Sequence, residues 1–431
     1  MLRADEIREN KRHYRINPFI WVIPLILSGV GILMITSTTS PNSFTQTGTP
    51  FQMGIKQAQW LLIALSGMFV VFSVPLRFWI KMSAPILILT WLMSWLPLIP
   101  GIGMNVGGAS RWINVPGSSI SIQPGELLCL AIALHLAKLL SRWDKDPGKA
   151  FLSTIMLVGI AALPLSLQPD LGTIILIFLV SMGMYVERIG WKWPVIAGGL
   201  LGGLIFPLLI FLEPYRMRRV AAFMDPWSDP LDKGFQAIQG LIAFANGGFW
   251  GTGLGHGFQK LNYLPAAYTD FIYAAIGEEL GLMGTLGVIG LFAFWVSQTR
   301  MVYYRVPDGF KSSLTWGVTL TVILPLVINV AGVTKLIPLT GMPLPFISYG
   351  GTSLLTMWSR IGIMLRLEKE SYGREERPAP ANRGWRREGP EATSGRPYLS
   401  AGGSAETSRM SLYRTSAAGV RLSSKYMPPQ G

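Results

Sequence analysis

The chain has 431 residues, of which half are hydrophobic and only 14% are charged, and it carries a net charge of +14 at neutral pH. Soluble proteins hold about 25% charged residues, so a water-soluble globular enzyme is excluded. The one cysteine, Cys129, allows no intrachain disulfide. The three histidines, His13, His135 and His256, show no metal-ligand spacing.

Residues 1–17 form a basic N-terminal segment with no small-residue cleavage site after it, and they read as the lead to an uncleaved anchor. Apolar runs long enough to cross a bilayer then recur near 18–36, 57–74, 78–98, 124–140, 151–168, 170–186, 193–212, 270–297, 312–331 and 349–366. The expected fold is an all-α integral membrane protein of about ten transmembrane helices, with the membrane domain at 18–366. Threading ten spans from the inside leaves eight of the 37 Lys and Arg outside, namely Lys56, Arg111, Arg216, Arg218, Arg219, Lys233, Lys260 and Lys335. The bias of basic loops toward the cytoplasm predicts both termini inside. The positive charge is then a topology signal with attraction to anionic membrane lipids, not a nucleic-acid face.

Three regions depart from plain spans. Residues 101–123 form an external loop rich in Gly and Ser. Residues 213–269, between spans seven and eight, form a long external loop with its own organisation, including helix-like apolar spacing over 234–245 that suits an amphipathic helix in the membrane interface. Residues 367–431, rich in Ser, Gly, Pro and Ala, read as a disordered cytoplasmic tail.

Acidic residues near apolar runs mark the candidate chemistry. Glu126, Asp170, Glu278 and Glu279 each read in two ways: a buried carboxylate that pins its neighbours by accepting hydrogen bonds, or a proton-relay acid of a transporter. Asp270 stands where the external loop meets span eight. A half-desolvated carboxylate there suits general-base work, and a helix N-cap made by Thr269 or Asp270 is the alternative. The external cations, arginines above all, match the oxygens of a diphosphate on a lipid, or else pair with Asp225, Asp229 and Asp232. The glycines at 251, 253, 255 and 257 lack the strand–loop–helix setting of a nucleotide fold and read as tight turns. TGMPLPFISYGGTS, 340–353, is non-helical backbone that a membrane tolerates only beside a cavity or inside packed protein.

Together, GGASRWINVPGSSISIQPGEL (107–127), QPDLGT (168–173), DPLDKGFQAIQ (229–239), GGFWGTGLGHGFQKLNYLP (247–265), TDFIYAAIGEELG (269–281) and GMPLPFISYGGTS (341–353) resemble the FtsW/RodA/SpoVE family, the SEDS peptidoglycan polymerases, and most closely its division branch. The resemblance implies a glycosyltransferase that polymerises lipid II at the outer face of the bacterial cytoplasmic membrane. It places the essential acid at Asp270, and Arg111, Glu126, Arg216, Lys233, Gln236, Lys260, Lys335 and Ser348 are the candidate substrate contacts. It also implies a class B penicillin-binding protein and other division proteins as partners. A magnesium or manganese ion is left as an optional aid, with no dedicated metal motif. Competing expectations are a lipid-linked precursor transporter and a non-catalytic scaffold. The chain departs from the family pattern at Gly125 and Cys129, where QPSE with a lysine three residues beyond the glutamate is usual. It departs again at Ala266 and Tyr268, where Glu and His are usual.

Overall fold

The computed structural model describes residues 16–372 apart from 107–108, 115–120, 144, 201–202, 204–216, 218–219, 222, 233, 262 and 307–308. Helices α1 (Phe19–Thr47), α2 (Gln52–Ser73) and α3 (Leu76–Met93) lead to a small antiparallel sheet, β1 (Gly103–Val106), β2 (Ala109–Asn114) and β3 (Ser121–Ile122). Then follow α4 (Pro124–Arg142), α5 (Pro147–Leu167), α6 (Leu171–Arg188), α7 (Lys192–Leu200), α8 (Phe235–Gly247), α9 (Ile272–Arg305), α10 (Gly309–Val333) and α11 (Gly351–Tyr372).

Eight helices among the described residues are long and apolar enough to cross a bilayer: α1 to α6, α9 and α10. The expected seventh span begins as α7 and runs into residues outside the described set. The expected tenth is α11, which carries Arg366, Glu368, Lys369 and Glu370 in its last turns and continues to Tyr372, past the expected tail boundary at 367. The three closely spaced runs over 124–186 are separate helices. α2 turns Leu62 and Phe69 outward, each about two-thirds exposed. Apolar exposure along a whole helix is costly in water and suits lipid. The opposite faces of α1, α4, α6, α9, α10 and α11 bury a core in which Trp295, Trp358 and Tyr185 are nearly inaccessible. The indole N–H groups of the two tryptophans are satisfied across helices: Trp295 donates to the Ile20 carbonyl at 3.0 Å and Trp358 to Ser28 Oγ at 3.3 Å.

Two expectations about the external loops change. Residues 101–123 are not a plain loop, because β1 pairs with β2 and β2 with β3. Strands of two to six residues with glycine between them give too short an alternation to stand out in sequence. In the second loop the expected helix is present as α8, but its apolar spacing is taken up by protein. Ile238, Gly240, Ala243 and Gly247 are buried, and Gly240 and Gly247 bring the helix against Phe271 and the Gly277 carbonyl with no room for a Cβ.

α9 is the element that positions the site. Its 34 residues would span about 51 Å as one rod, well beyond the roughly 30 Å hydrocarbon core. It is broken at Gly281, where φ is +68° and ψ −165°, a conformation open to glycine and strained for other residues. Residues 272–280 therefore form a separate half-helix, and 282–305 make the crossing.

Candidate active site

The half-helix 272–280 is held from two sides. On one side the glycine-rich segment 247–260 docks onto it. Glu278 Oε1 accepts from the Phe258 and Gln259 amides at 2.9 and 3.3 Å and from Asn246 Nδ2 at 3.4 Å. Glu279 accepts from Ser37 Oγ at 2.6 Å and from the Gly255 amide at 3.0 Å, and pairs with Lys260 Nζ at 3.4 Å. The loop returns these bonds, since the Thr252 and Gly253 amides donate to the Glu278 and Glu279 carbonyls. Gly251, at φ +83°, lies against the Glu279 carbonyl with no room for a side chain. Both carboxylates are 2% exposed, with their lone pairs committed. This is the pinning role, carried out between a loop and a half-helix.

On the other side the irregular segment 341–350 grips the residues just before the half-helix. Ser348 Oγ donates to the Thr269 carbonyl at 2.6 Å and accepts from the Leu344 amide at 2.8 Å. The Tyr349 amide donates to the Tyr268 carbonyl at 2.9 Å. The gripping segment is itself held by Gln57 of α2, whose side-chain amide bonds the Ser348 carbonyl and the Gly350 amide at 3.3 and 3.4 Å. Gly31 of α1 lets it pack closely, because a Cβ there would stand 2.6 Å from the Ile347 carbonyl. Asp270, half-buried, is thus displayed on a backbone fixed at every neighbouring residue. The N-cap position of α9 falls on Phe271, with no side-chain cap. Thr269 turns its hydroxyl back to the Ala266 carbonyl at 3.2 Å, so it is not the cap.

A third group of residues encloses a small polar pocket. Arg111 of β2 donates to the Pro169 carbonyl at 2.7 Å and pairs with Asp170 at 3.6 Å. Asp170 caps α6, accepting from the Thr173 hydroxyl at 2.7 Å. Glu126, in the first turn of α4, accepts from Thr356 Oγ1 of α11 at 2.6 Å. Arg111, Glu126, Asp170, Thr173 and Thr340–Pro343 help line a cavity of about 30 Å³, room for about two waters. It lies beside the irregular 340–353 segment, where non-helical backbone required one.

The site residues expected from sequence therefore separate. Arg111 and Glu126 come together in the pocket, with Asp170. Lys260 is not an open diphosphate contact: its side chain is 10% exposed and bound to Glu279 and the Gly255 carbonyl. Ser348 is engaged by backbone on two sides. Gln236 donates to the Pro265 carbonyl at 3.3 Å, bracing the approach to Asp270. Lys335 stands two residues beyond α10, at φ +61°. Arg216 and Lys233 lie outside the described residues. Among the described residues no three His, Cys, Asp or Glu gather as a cation site. Asn329, which joins Asp270 to the pocket wall, went unnoticed in sequence because a single amide inside the apolar run 312–331 has no motif around it.

A broken half-helix bearing a displayed acid, beside a polar pocket at the ends of a helical bundle, defines a multi-pass membrane protein with a site at the edge of the helices. The family model described as cell cycle protein, FtsW/RodA/SpoVE, matches residues 18–373. The chain is 34% identical over 392 residues to the probable peptidoglycan glycosyltransferase FtsW of Halomonas elongata, covering 88% of this chain and 98% of that one. It is 36% identical over 361 residues to the protein of the same description from Geobacter sp., covering 82% and 97%. The fold is similar to that in a solved structure of a peptidoglycan synthase complex described as coordinating polymerization and crosslinking, with a TM-score of 0.68 and 24% identity over 83% of this chain and 99% of that one. It is also similar to the crystal structure of the Thermus thermophilus rod shape determining protein RodA, with a TM-score of 0.60 and 21% identity over 84% and 99%. The chain belongs to the FtsW/RodA/SpoVE family.

Proposed function

We propose that the protein is a peptidoglycan glycosyltransferase of the division type, which polymerises lipid II into β-1,4 glycan strands at the outer face of the cytoplasmic membrane during septal wall synthesis. The observation that carries this reading is the extent of the family likeness, which takes in nearly the whole length of relatives described as glycosyltransferases. Asp270 is the general base. It takes the proton of the acceptor sugar's 4-hydroxyl as that oxygen bonds the anomeric carbon of the lipid-linked donor. The bond from that carbon to the diphosphate breaks with inversion, and the polyprenyl diphosphate leaves with the electron pair. The rigid backbone around Asp270 supports this role, because a base is effective only when held within hydrogen-bond reach of its proton. Both termini face the cytoplasm, and the site opens outside.

The partner is a class B penicillin-binding protein, which cross-links the new strands, with other division proteins around it. The described residues gather no third donor for a divalent cation beside Glu126 and Asp170, and both of those are engaged already.

The test is polymerisation of labelled lipid II by the purified protein with its transpeptidase partner, comparing wild type with Asp270→Asn. Loss of a general base costs about a hundred- to ten-thousandfold, so the variant is expected to make no detectable glycan. Glycan from both proteins would remove Asp270 as the base. Glycan from neither, in a folded complex, would favour the transporter or scaffold.

A further inference from the structure

Asn329 sits on α10, one turn before the helix ends, and is 3% exposed. Its neighbours Leu326, Ile328 and Val333 are buried apolar groups, so an amide here is costly to bury. Its Nδ2 donates two hydrogen bonds, one to the Asp270 carbonyl at 2.8 Å and one to the Met342 carbonyl at 2.7 Å. Both partners are acceptors only, so the amide nitrogen must face them and the side chain has one admissible orientation. Among the described residues its buried Oδ1 has no hydrogen-bond partner. A residue that leaves one polar atom unsatisfied to place two bonds is held for those bonds.

The two carbonyls belong to different parts of the site. One is the main chain of the displayed acid. The other lies in 340–343, which walls the pocket containing Arg111, Glu126 and Asp170. The approach to Asp270 and the segment 341–350 are non-helical and hold glycine-like backbone angles: φ is +59° at Ala266, +73° at Gly341 and +63° at Phe346. Such backbone persists only where surrounding bonds over-determine it. One amide therefore fixes the acid and the pocket wall in a single register.

We propose that Asn329 is the positioning residue of the reaction: its amide sets the position of Asp270 relative to the pocket, and so the geometry in which the acid meets its proton. This rests on the polymerase reading of Asp270. Asn329 touches no reacting atom and acts through the main chain of the acid. Displacement of a catalytic group by about 1 Å costs on the order of a hundredfold in rate.

The experiment is steady-state polymerisation of lipid II by the complex with its transpeptidase, for wild type, Asn329→Ala and Asn329→Asp, over a range of pH, with the Tm of each complex measured alongside. Asn329→Ala is expected to lower kcat about ten- to a hundredfold, with KM for lipid II changed less than about twofold. Asn329→Asp keeps the shape of the side chain but donates only when protonated. Its optimum is expected to move to lower pH than that of wild type, because the charged form would face two carbonyl oxygens and push them away. Wild-type kcat in Asn329→Ala would overturn the inference. So would an Asn329→Asp profile lowered equally at every pH in step with Tm, which is what a merely structural role predicts. If Asn329→Ala does not fold, the pH profile of Asn329→Asp decides. Wild type that makes no glycan would overturn the polymerase reading and this inference with it. Active wild type beside unaltered variants would overturn this inference alone.

Discussion

Asp270 and the pair Glu278–Glu279 lie within ten residues of one another, in the same half-helix and its approach, yet they are built in opposite ways. Around Asp270 it is the backbone that is held, through Thr269, Tyr268 and its own carbonyl, and the residue keeps part of its surface open. Around Glu278 and Glu279 it is the carboxylates that are held, each by several donors and each almost wholly inaccessible. A carboxylate whose oxygens are already saturated by amides has no lone pair left for a substrate proton. A carboxylate that keeps part of its surface open on a braced backbone can be reached by substrate. The location of an acid in a membrane protein is thus a weaker guide to function than its exposure.

The sharpest way to break that comparison is to remove the carboxylates in turn and read folding and activity separately. Asp270→Asn is expected to abolish polymerisation in a complex that still folds, with a smaller change in Tm than the changes at Glu278 and Glu279 bring. Glu279→Ala removes the partner of a nearly buried ammonium and strands the Ser37 hydroxyl and the Gly255 amide. Loss of one partner of a buried pair costs about 3–5 kcal/mol, so the variant is expected to show a large drop in Tm in detergent and lost activity as a consequence. Glu278→Ala, which strands the Phe258 and Gln259 amides, should behave alike. A stable but inactive Glu279→Ala would mean that this acid works on substrate after all, and the contrast with Asp270 would fail.

Gly281→Ala ranks next. It asks a residue with a Cβ to adopt φ +68° against the Gly251 amide, at about 1–3 kcal/mol for the backbone alone. The docked loop should loosen before the bundle does, so limited proteolysis within 248–263 is the suitable measurement, with faster cleavage expected than in wild type. Unchanged protection would show that the loop is held by the carboxylates without help from the break.

The positions of the elements were largely legible in the sequence, and what each polar residue does there was legible only in part. The apolar runs, the acid at the rim and the irregular 340–353 segment follow from local pattern. So did the reading of Glu278 and Glu279 as pinning acids, since a buried carboxylate must find donors somewhere. The pairing of Lys260 is not legible in sequence because its partner is 19 residues away, beyond a loop whose path no local rule fixes. Ser348 and Gln57 act on backbone carbonyls and amides, which any sequence supplies, so nothing in their types marks the partner. The same is true of Asn329. The short sheet over 103–122 does not stand out because its strands are too brief for an alternating pattern, and Arg111 on β2 reads as any external cation.

The pocket offers a smaller effect. Asp170→Asn keeps the shape of the α6 cap and the acceptor oxygen for Thr173 but removes the charge that faces Arg111. The pair is mostly buried, with side-chain exposures of 15% and 4%, so the loss leaves Arg111 uncompensated. Its remaining anchor among the described residues is the Pro169 carbonyl. The expected result is a lowered Tm together with a raised KM for lipid II, smaller in both respects than the effects at Glu279 and Asp270. Restoration of KM by the double variant Arg111→Gln/Asp170→Asn would show that the pair serves only to neutralise itself; persistence of the defect would show that Arg111 is wanted for substrate.

The smallest expected effect lies at the other end of α4 from the pocket, where Asp146 caps α5. It accepts from the Lys149 amide at 3.2 Å and pairs with Lys149 Nζ at 2.9 Å, in the open. The hydrogen bonds from Lys149, side chain first and then backbone, hold its carboxyl below the usual range. A depressed folded-state value means that the cap's contribution is fully present above the ordinary carboxylate range and is lost as pH falls from that range through the lowered folded-state value. Near neutral pH, Asp146→Asn retains a capping oxygen and should be almost indistinguishable from wild type in Tm. On acidification the wild type should lose its slight advantage while the variant stays level, so the two curves should converge, since solvent screens an exposed pair. A gap that widens toward low pH would mean that Asp146 is held by something other than its own turn.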